Sequence, residues 1–293
     1  RATLGPMLRE VLVSEALHAL GVPTTRSLAV VTTGDDVLRA DGPEPGAVLT
    51  RVAASHIRVG TFEYAARLGV ADLVPRLAEV AIARHHPAAA HADEPLLALL
   101  EAVVAAQARL VGDWMLVGFI HGVMNTDNTT ISGEGIDYGP CAFMDVFDPA
   151  TVFSSIDHQG RYAFANQPPI AVWNLSRLAE TLIAAMRPDD PESMVGPATE
   201  VLQGFEPLLD RHWRDGMRAR LGLVDPSADA TLADDLMKAL QGDALDLTGT
   251  FRLLARWRRG EADLPTGADA LTAWSERWTA EVDRQDLDPR AVA

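Results

Sequence analysis

The sequence carries one cysteine, Cys141, so no intramolecular disulfide can form and a reducing compartment suits the chain. It has no Gly-x-Ser-x-Gly elbow and no Cys-His pairing of the kind acyl chemistry needs. Positive charge is in deficit. Against 41 Asp and Glu stand 25 Lys and Arg, a formal net charge of −16 that repels a phosphate backbone, so no nucleic acid partner is expected. Long uncharged runs are missing as well. The stretch from Pro95 to Ile120 is rich in Leu, Val and Ala, but Glu101, Arg109 and Asp113 interrupt it short of the roughly 20 apolar residues that a bilayer requires. It reads as a buried core helix, and no membrane partner is expected. The sequence shows no N-terminal signal segment, which points to the cytoplasm.

What is there is oxygen chemistry. The segment His121-Gly-Val-Met-Asn-Thr-Asp127-Asn128 is followed nine residues later by Asp137-Tyr138-Gly139-Pro140. A hard divalent cation takes oxygen ligands, and Asn128 and Asp137, from adjacent turns, would leave its remaining positions to water and phosphate. Thr129 to Ser132 reads as a short strand and Gly133-Glu134-Gly135 as a turn, so the ligands would sit at the two ends of a β-hairpin. His121 and Asn128 keep the separation of the kinase catalytic-loop His and its metal-binding Asn. The kinase base position, however, holds Val123, which cannot take a proton, and the nearest acid is Asp127. Taken alone, Asp127 and Asn128 also suit an Asx-rich turn, Arg51 and Arg58 suit surface arginines with packed stems, and Glu10 suits an exposed helix acid.

The rest of the chain reads as helices around a small β element. Apolar residues at helical period run from Pro6 to Leu20 and stop at Gly21-Val22-Pro23. Arg26 to Thr32 and Ala47 to Val52 look like strands, separated by a loop at Asp41-Gly-Pro-Glu-Pro-Gly46. Helical periods then dominate, with segments around Trp173 to Ala185 and Leu232 to Leu240. His85, His86 and His91 fall in an Ala- and Pro-rich segment expected to be a loop, poorly arranged for zinc. Gly133-Glu-Gly135 with Gly139 misses the dinucleotide spacing by one residue, and no helix follows. Asn166 and Gln167 are expected to act as framework for the loop.

Several blocks in order, Leu4 to Glu10, Gly21 to Val30, Leu49 to Phe62, Gly118 to Asn128 and Gly160 to Pro168, resemble the selenoprotein O family of kinase-like proteins. The resemblance implies an α+β, predominantly α, protein-kinase-like fold. It would comprise an incomplete small lobe over residues 1–60, a helical large lobe over 61–187 and a helical extension over 188–293. The implied activity is transfer of AMP from ATP to Ser, Thr or Tyr hydroxyls of protein substrates, with Mg2+ or Mn2+ as cofactor. Position by position, Asp127 resembles the family's proton acceptor, Asn128 and Asp137 its metal ligands, and Arg51 and Arg58 its grip on the nucleotide phosphates. Glu10 resembles the glutamate that pairs with a nucleotide-binding lysine. That lysine and the glycine-rich segment are expected upstream of Arg1, and a terminal cysteine or selenocysteine beyond Ala293, so the chain alone is expected to be inactive and a mitochondrial leader stays open. A conventional phosphotransferase and a non-catalytic pseudokinase module are the alternatives.

Overall fold

The computed structural model describes residues 2–225 and 227–285. The last eight positions of the expected extension, 286–293, lie outside the described residues, as does Arg1. Helix α1 (Leu4–Ala19) ends at Leu20, and Gly21 turns the chain with φ of 79°. It packs against a two-stranded antiparallel ribbon, β1 (Arg26–Arg39) and β2 (Gly42–Val52). Both strands are longer than expected, because the segment read as a loop continues the pairing down to Arg39↔Gly42. Pro43 and Pro45 are two apart and therefore turn the same way. A two-stranded ribbon needs ladder hydrogen bonds on one side only, so both prolines are tolerated on the other.

Most of the remaining described chain is helical. Helices α2 (Val59–Arg67) and α3 (Leu73–His85) pack on α5 (Gln167–Met186), which packs on α4 (Pro95–Val117), followed by α6 (Val195–Gln203) and α7 (Phe205–Arg220). By length and composition α4 could cross a membrane, yet it packs against α5, α6 and α7, and the residues it buries include Leu99, Val103, Val111 and Trp114. Each such side chain taken from water contributes about 1.5–3 kcal/mol. Pro95 opens α4 where no helical N–H is required, and Gly118, at φ 69°, closes it in the left-handed conformation. The chain thus leaves the core helix at a fixed point, immediately before the loop beginning at His121.

A second core is built by α8 (Leu232–Gly242), α9 (Leu247–Arg258) and α10 (Asp269–Arg284), centred on Leu236, Leu271, Trp274 and Trp278. The two indoles stack at 5.6 Å and donate to the Leu232 and Leu221 carbonyls, so neither buried N–H is orphaned. This core also takes in Ile120, Met144 and Phe147. Ile120 belongs to β3 (Phe119–Ile120), which pairs with β4 (Ala142–Phe143). Beyond β4 the Leu247 N–H donates to the Asp145 carbonyl at 2.8 Å, and the Phe147 N–H to the Leu245 carbonyl at 2.9 Å. The α8–α10 unit therefore grips the chain just after the Asp137 turn.

The expected hairpin over 129–137 does not form. Its backbone pairs outward: Ile131 N–H with the Ile57 carbonyl, Val59 N–H with Thr129, and Thr25 N–H with Gly135. The buried Gln107 side chain of α4 donates to the Thr130 carbonyl at 2.7 Å. With partners on three other segments, the stretch has no groups left for a ladder with itself. The three histidines are also placed otherwise than in a plain loop. His85 closes α3 and meets Ser55 Oγ at 2.7 Å, His86 meets the Ile131 carbonyl at 3.1 Å, and His91 ends a 3-10 turn over Pro87–His91.

Candidate functional site

The loop after α4 is held at almost every turn. His121 is fully buried, and its Nδ1 accepts from the Val123 N–H while its Nε2 donates to the Ile136 carbonyl at 2.9 Å. Each ring nitrogen has one role, so the neutral Nε2–H tautomer is the one that fits. Burial opposes the imidazolium and holds its pKa below the ordinary value, against the pull of the Ile136 carbonyl and of Asp137 and Glu10. Gln167, the first residue of α5, spans the neighbouring backbone: Oε1 accepts from the His121 N–H and Nε2 donates to the Phe119 carbonyl, both at 3.0 Å. Asn174 of α5 donates to the Met124 carbonyl and to Thr129 Oγ1.

Within this frame the Asx turn is made by Asn125, whose Oδ1 accepts from the Asp127 N–H at 2.9 Å. The Asp127 side chain is thereby released from turn duty and is exposed. Asn128 is buried, and its Nδ2 donates to the Val123 carbonyl at 2.9 Å, which fixes the amide with Oδ1 turned the other way. Gly122, at φ 78°, passes against the Pro140 carbonyl where a Cβ would collide, so the loop lies directly on the Asp137–Pro140 turn.

That turn is governed by Glu10. Its side chain, 4% exposed, accepts from Arg51 Nη2 at 2.5 Å, from the Tyr138 N–H at 2.7 Å and from the Asp137 N–H at 3.3 Å. A carboxylate so buried is tolerable only with a cation and donors around it. Asp137 sits at φ 68°, a left-handed backbone that a non-glycine residue keeps only where its surroundings over-determine it. Arg9 adds a bond to the Gly139 carbonyl, and the buried Tyr138 hydroxyl meets Thr24 Oγ1. Burial raises the Tyr138 pKa far above that of a free phenol and pushes the Cys141 thiol up to about 11, so neither ionises near neutrality. The sequence's one lysine, Lys238, lies on α8 beside Asp235; it is Arg51 that faces Glu10.

Arg58 stands just before α2. Its Nη1 donates to the Asp127 carbonyl at 3.0 Å and its N–H to Thr61 Oγ1. Gly60 lies against the Asp127 carboxylate so closely that any Cβ there would overlap it. Thus Glu10 meets both Arg51 and the Asp137 backbone, Arg58 meets Asp127 beside Asn128, and His121 links the two sets through Val123 and Ile136. Gly60 and Asn174 carry no local sequence signal, because their contacts are made with residues 67 and 50 positions away.

A sequence model of the family described as Protein adenylyltransferase SelO matches residues 1–286. Curated relatives named Protein nucleotidyltransferase YdiU include one from Cereibacter sphaeroides, 57% identical over 284 residues that cover 96% of this chain and 59% of the relative. Another, from Mycolicibacterium smegmatis, is 57% identical over 281 residues, 93% of this chain and 58% of the relative. The Chromobacterium violaceum protein is 54% identical over 285 residues, 96% and 59% respectively. The chain spans about three fifths of the length of the curated relatives it matches. Agreement at more than half of all positions across nearly the whole chain is kinship, and the chain belongs to the family of protein adenylyltransferase SelO.

Proposed function

We propose that the protein carrying this chain transfers AMP from ATP to Ser, Thr or Tyr hydroxyls of protein substrates in the cytoplasm. The reading takes residues 1–60 as part of the small lobe of a protein-kinase-like fold, 61–187 as its large lobe and 188–293 as a helical extension. The observation that carries it is the Glu10 carboxylate, which ties the β2 arginine to the backbone of the Asp137 turn. A phosphate-binding cation and an oxygen ligand are thereby held on one buried anchor.

The residues fit Mg2+ or Mn2+. Asn128 has its Nδ2 engaged, leaving amide oxygen as its donor, and Asp137 offers carboxylate oxygen, a hard pair that leaves room for water and phosphate. When bound, such an ion would offset charge on the phosphate oxygens. Arg51 and Arg58 would add to that offset as negative charge builds on the leaving pyrophosphate. The Asp127 carboxylate takes the proton of the incoming hydroxyl. The hydroxyl oxygen then forms its bond to the α-phosphorus, the bond from that phosphorus to the β-phosphate oxygen breaks, and pyrophosphate departs with the electron pair.

The test uses a protein at the full length of the relatives, incubated with ATP labelled at the α- or the γ-phosphate. Label on acceptor protein from α-ATP alone is expected. Label from γ-ATP would establish a phosphotransferase instead, and no label from either would overturn AMP transfer and favour a non-catalytic binding module.

A further inference from the structure

A cavity of about 470 Å3 opens on the outer side of the Asp127 carboxylate, between that residue and α2, lined by Arg58, Gly60, Glu63, Tyr64, Arg67 and Asp127. Gly60, Tyr64 and Arg67 are spaced four and three apart, which puts them on one face of the helix. Arg58 is engaged with the Asp127 carbonyl. By contrast Glu63, the Tyr64 hydroxyl and Arg67 make no hydrogen bond or ion pair among the described residues. Tyr64 is 65% exposed, an aromatic platform beside a group that must meet an incoming hydroxyl. Arg58 and Arg67 are balanced there by Asp127 and Glu63, so the lining offers no net positive charge to a polyphosphate and instead presents single charges of both signs. The cavity therefore suits the acceptor better than the nucleotide.

We infer that this cavity docks the acceptor segment of the protein substrate, and that Arg67 selects a hydroxyl accompanied by an acidic side chain about three residues away. The spacing follows from the helix. At about 1.5 Å of rise per residue, Arg67 lies roughly 10 Å along α2 from Gly60, where the Asp127 carboxylate rests, and an extended chain covers that distance in about three residues at about 3.3 Å each. Glu63, only about 4.5 Å along from Gly60, disfavours an acid immediately next to the hydroxyl and favours a basic residue there. Tyr64 lies between the two and packs on the intervening side chain. This inference rests on the reading of Asp127 as the base for AMP transfer.

The experiment takes the protein at the full length of its relatives, α-labelled ATP, and synthetic peptides with one Ser and either Glu or Lys at the third position on each side. The parent should label the Glu peptide with a KM at least about 5-fold lower than the Lys peptide. Arg67→Glu should invert that order while the KM for ATP stays within about twofold, and Tyr64→Ala should raise the KM for both peptides. Equal KM for the two peptides in the parent, or an unchanged order in Arg67→Glu, overturns the inference while leaving AMP transfer standing. Labelling of other proteins but of neither peptide overturns it as well. No label on any acceptor overturns the underlying reading and this inference with it.

Discussion

The two sides of the site are built to opposite rules. Around Glu10 the anchor is closed: the buried carboxylate takes up Arg51 Nη2 and two backbone N–H groups, and these fix the left-handed backbone of Asp137, although Asp137 itself is exposed. Around Asp127 the surface is open, since the residue is exposed and, among the described residues, Glu63, the Tyr64 hydroxyl and Arg67 on α2 are unengaged, while Arg58 and Thr61 hold the edge. The closed side fixes geometry in advance of binding, at the expense of a buried charge that must stay paired. The open side holds reactive groups without satisfying them, which is what a position awaiting another molecule requires. Substitutions on the closed side should therefore strike folding and function together, and those on the open side function alone.

The largest effect is expected on the open side. Asp127→Asn should lower AMP transfer by about 10²–10⁴-fold, the usual worth of a general base, with ATP affinity nearly unchanged. Because the side chain is exposed and makes no turn bond, unfolding free energy should move by no more than ~0.5 kcal/mol. A parental transfer rate would sink the base assignment. On the closed side, Glu10→Ala strands Arg51 and two N–H groups. A loss of about 3 kcal/mol in urea unfolding is expected, the low end of the range for breaking a buried pair because Arg51 keeps some solvent access. If the variant unfolds like the parent, Glu10 is not the anchor described.

Gly60→Ala is intermediate, because it tests the boundary between the two rules. The new Cβ would overlap the Asp127 carboxylate and push it aside while the backbone remains helical. Displacement by about 1 Å costs roughly 10²-fold in a positioned reaction, so a fall of at least tenfold in kcat is expected with little change in melting temperature. Normal kcat would mean that the carboxylate works from another position.

How much of this was legible depends on distance along the chain. Helix α4, the helix over Leu4–Ala19 and that over Leu232–Gly242 were readable as periodic runs, but a stop signal was read only for Leu4–Ala19, and the α4 run was read through to Ile120 although Gly118 ends the helix at Val117. The ribbon was under-read because Gly42, Pro43, Pro45 and Gly46 are loop formers unless the partner strand holds them. The loop chemistry at His121 to Asn128 was visible as spacing, but the tethers that give it shape were not. Gln167 and Asn174 act across 46 and 50 residues, Gly60 matters only because Asp127 returns to it, and Glu10 finds Arg51 forty-one positions on. Single-sequence patterns report local periods, and a functional site is where distant segments meet.

The smallest predicted effect concerns the hinge between the two sides. His121 is buried with a pKa below the ordinary value of about 6.5, chiefly because burial disfavours its charged form. In the unfolded chain the imidazole takes a proton near pH 6.5, whereas in the folded chain it resists until a lower pH. Between those two points the unfolded state binds more protons, so stability rises with pH there. The contribution is present above about pH 6.5 and is lost as pH falls through the folded pKa. Urea unfolding between pH 8 and 5.5 should show a decline on the acid side that is shallower in His121→Asn. His85, also held below its ordinary value first by burial, contributes with the same sign in both proteins, so the difference between the two curves isolates His121. Parallel curves would mean that the ring accepts a proton without losing its bonds to Val123 and Ile136. The link between the open and the closed side would then not depend on the neutral tautomer.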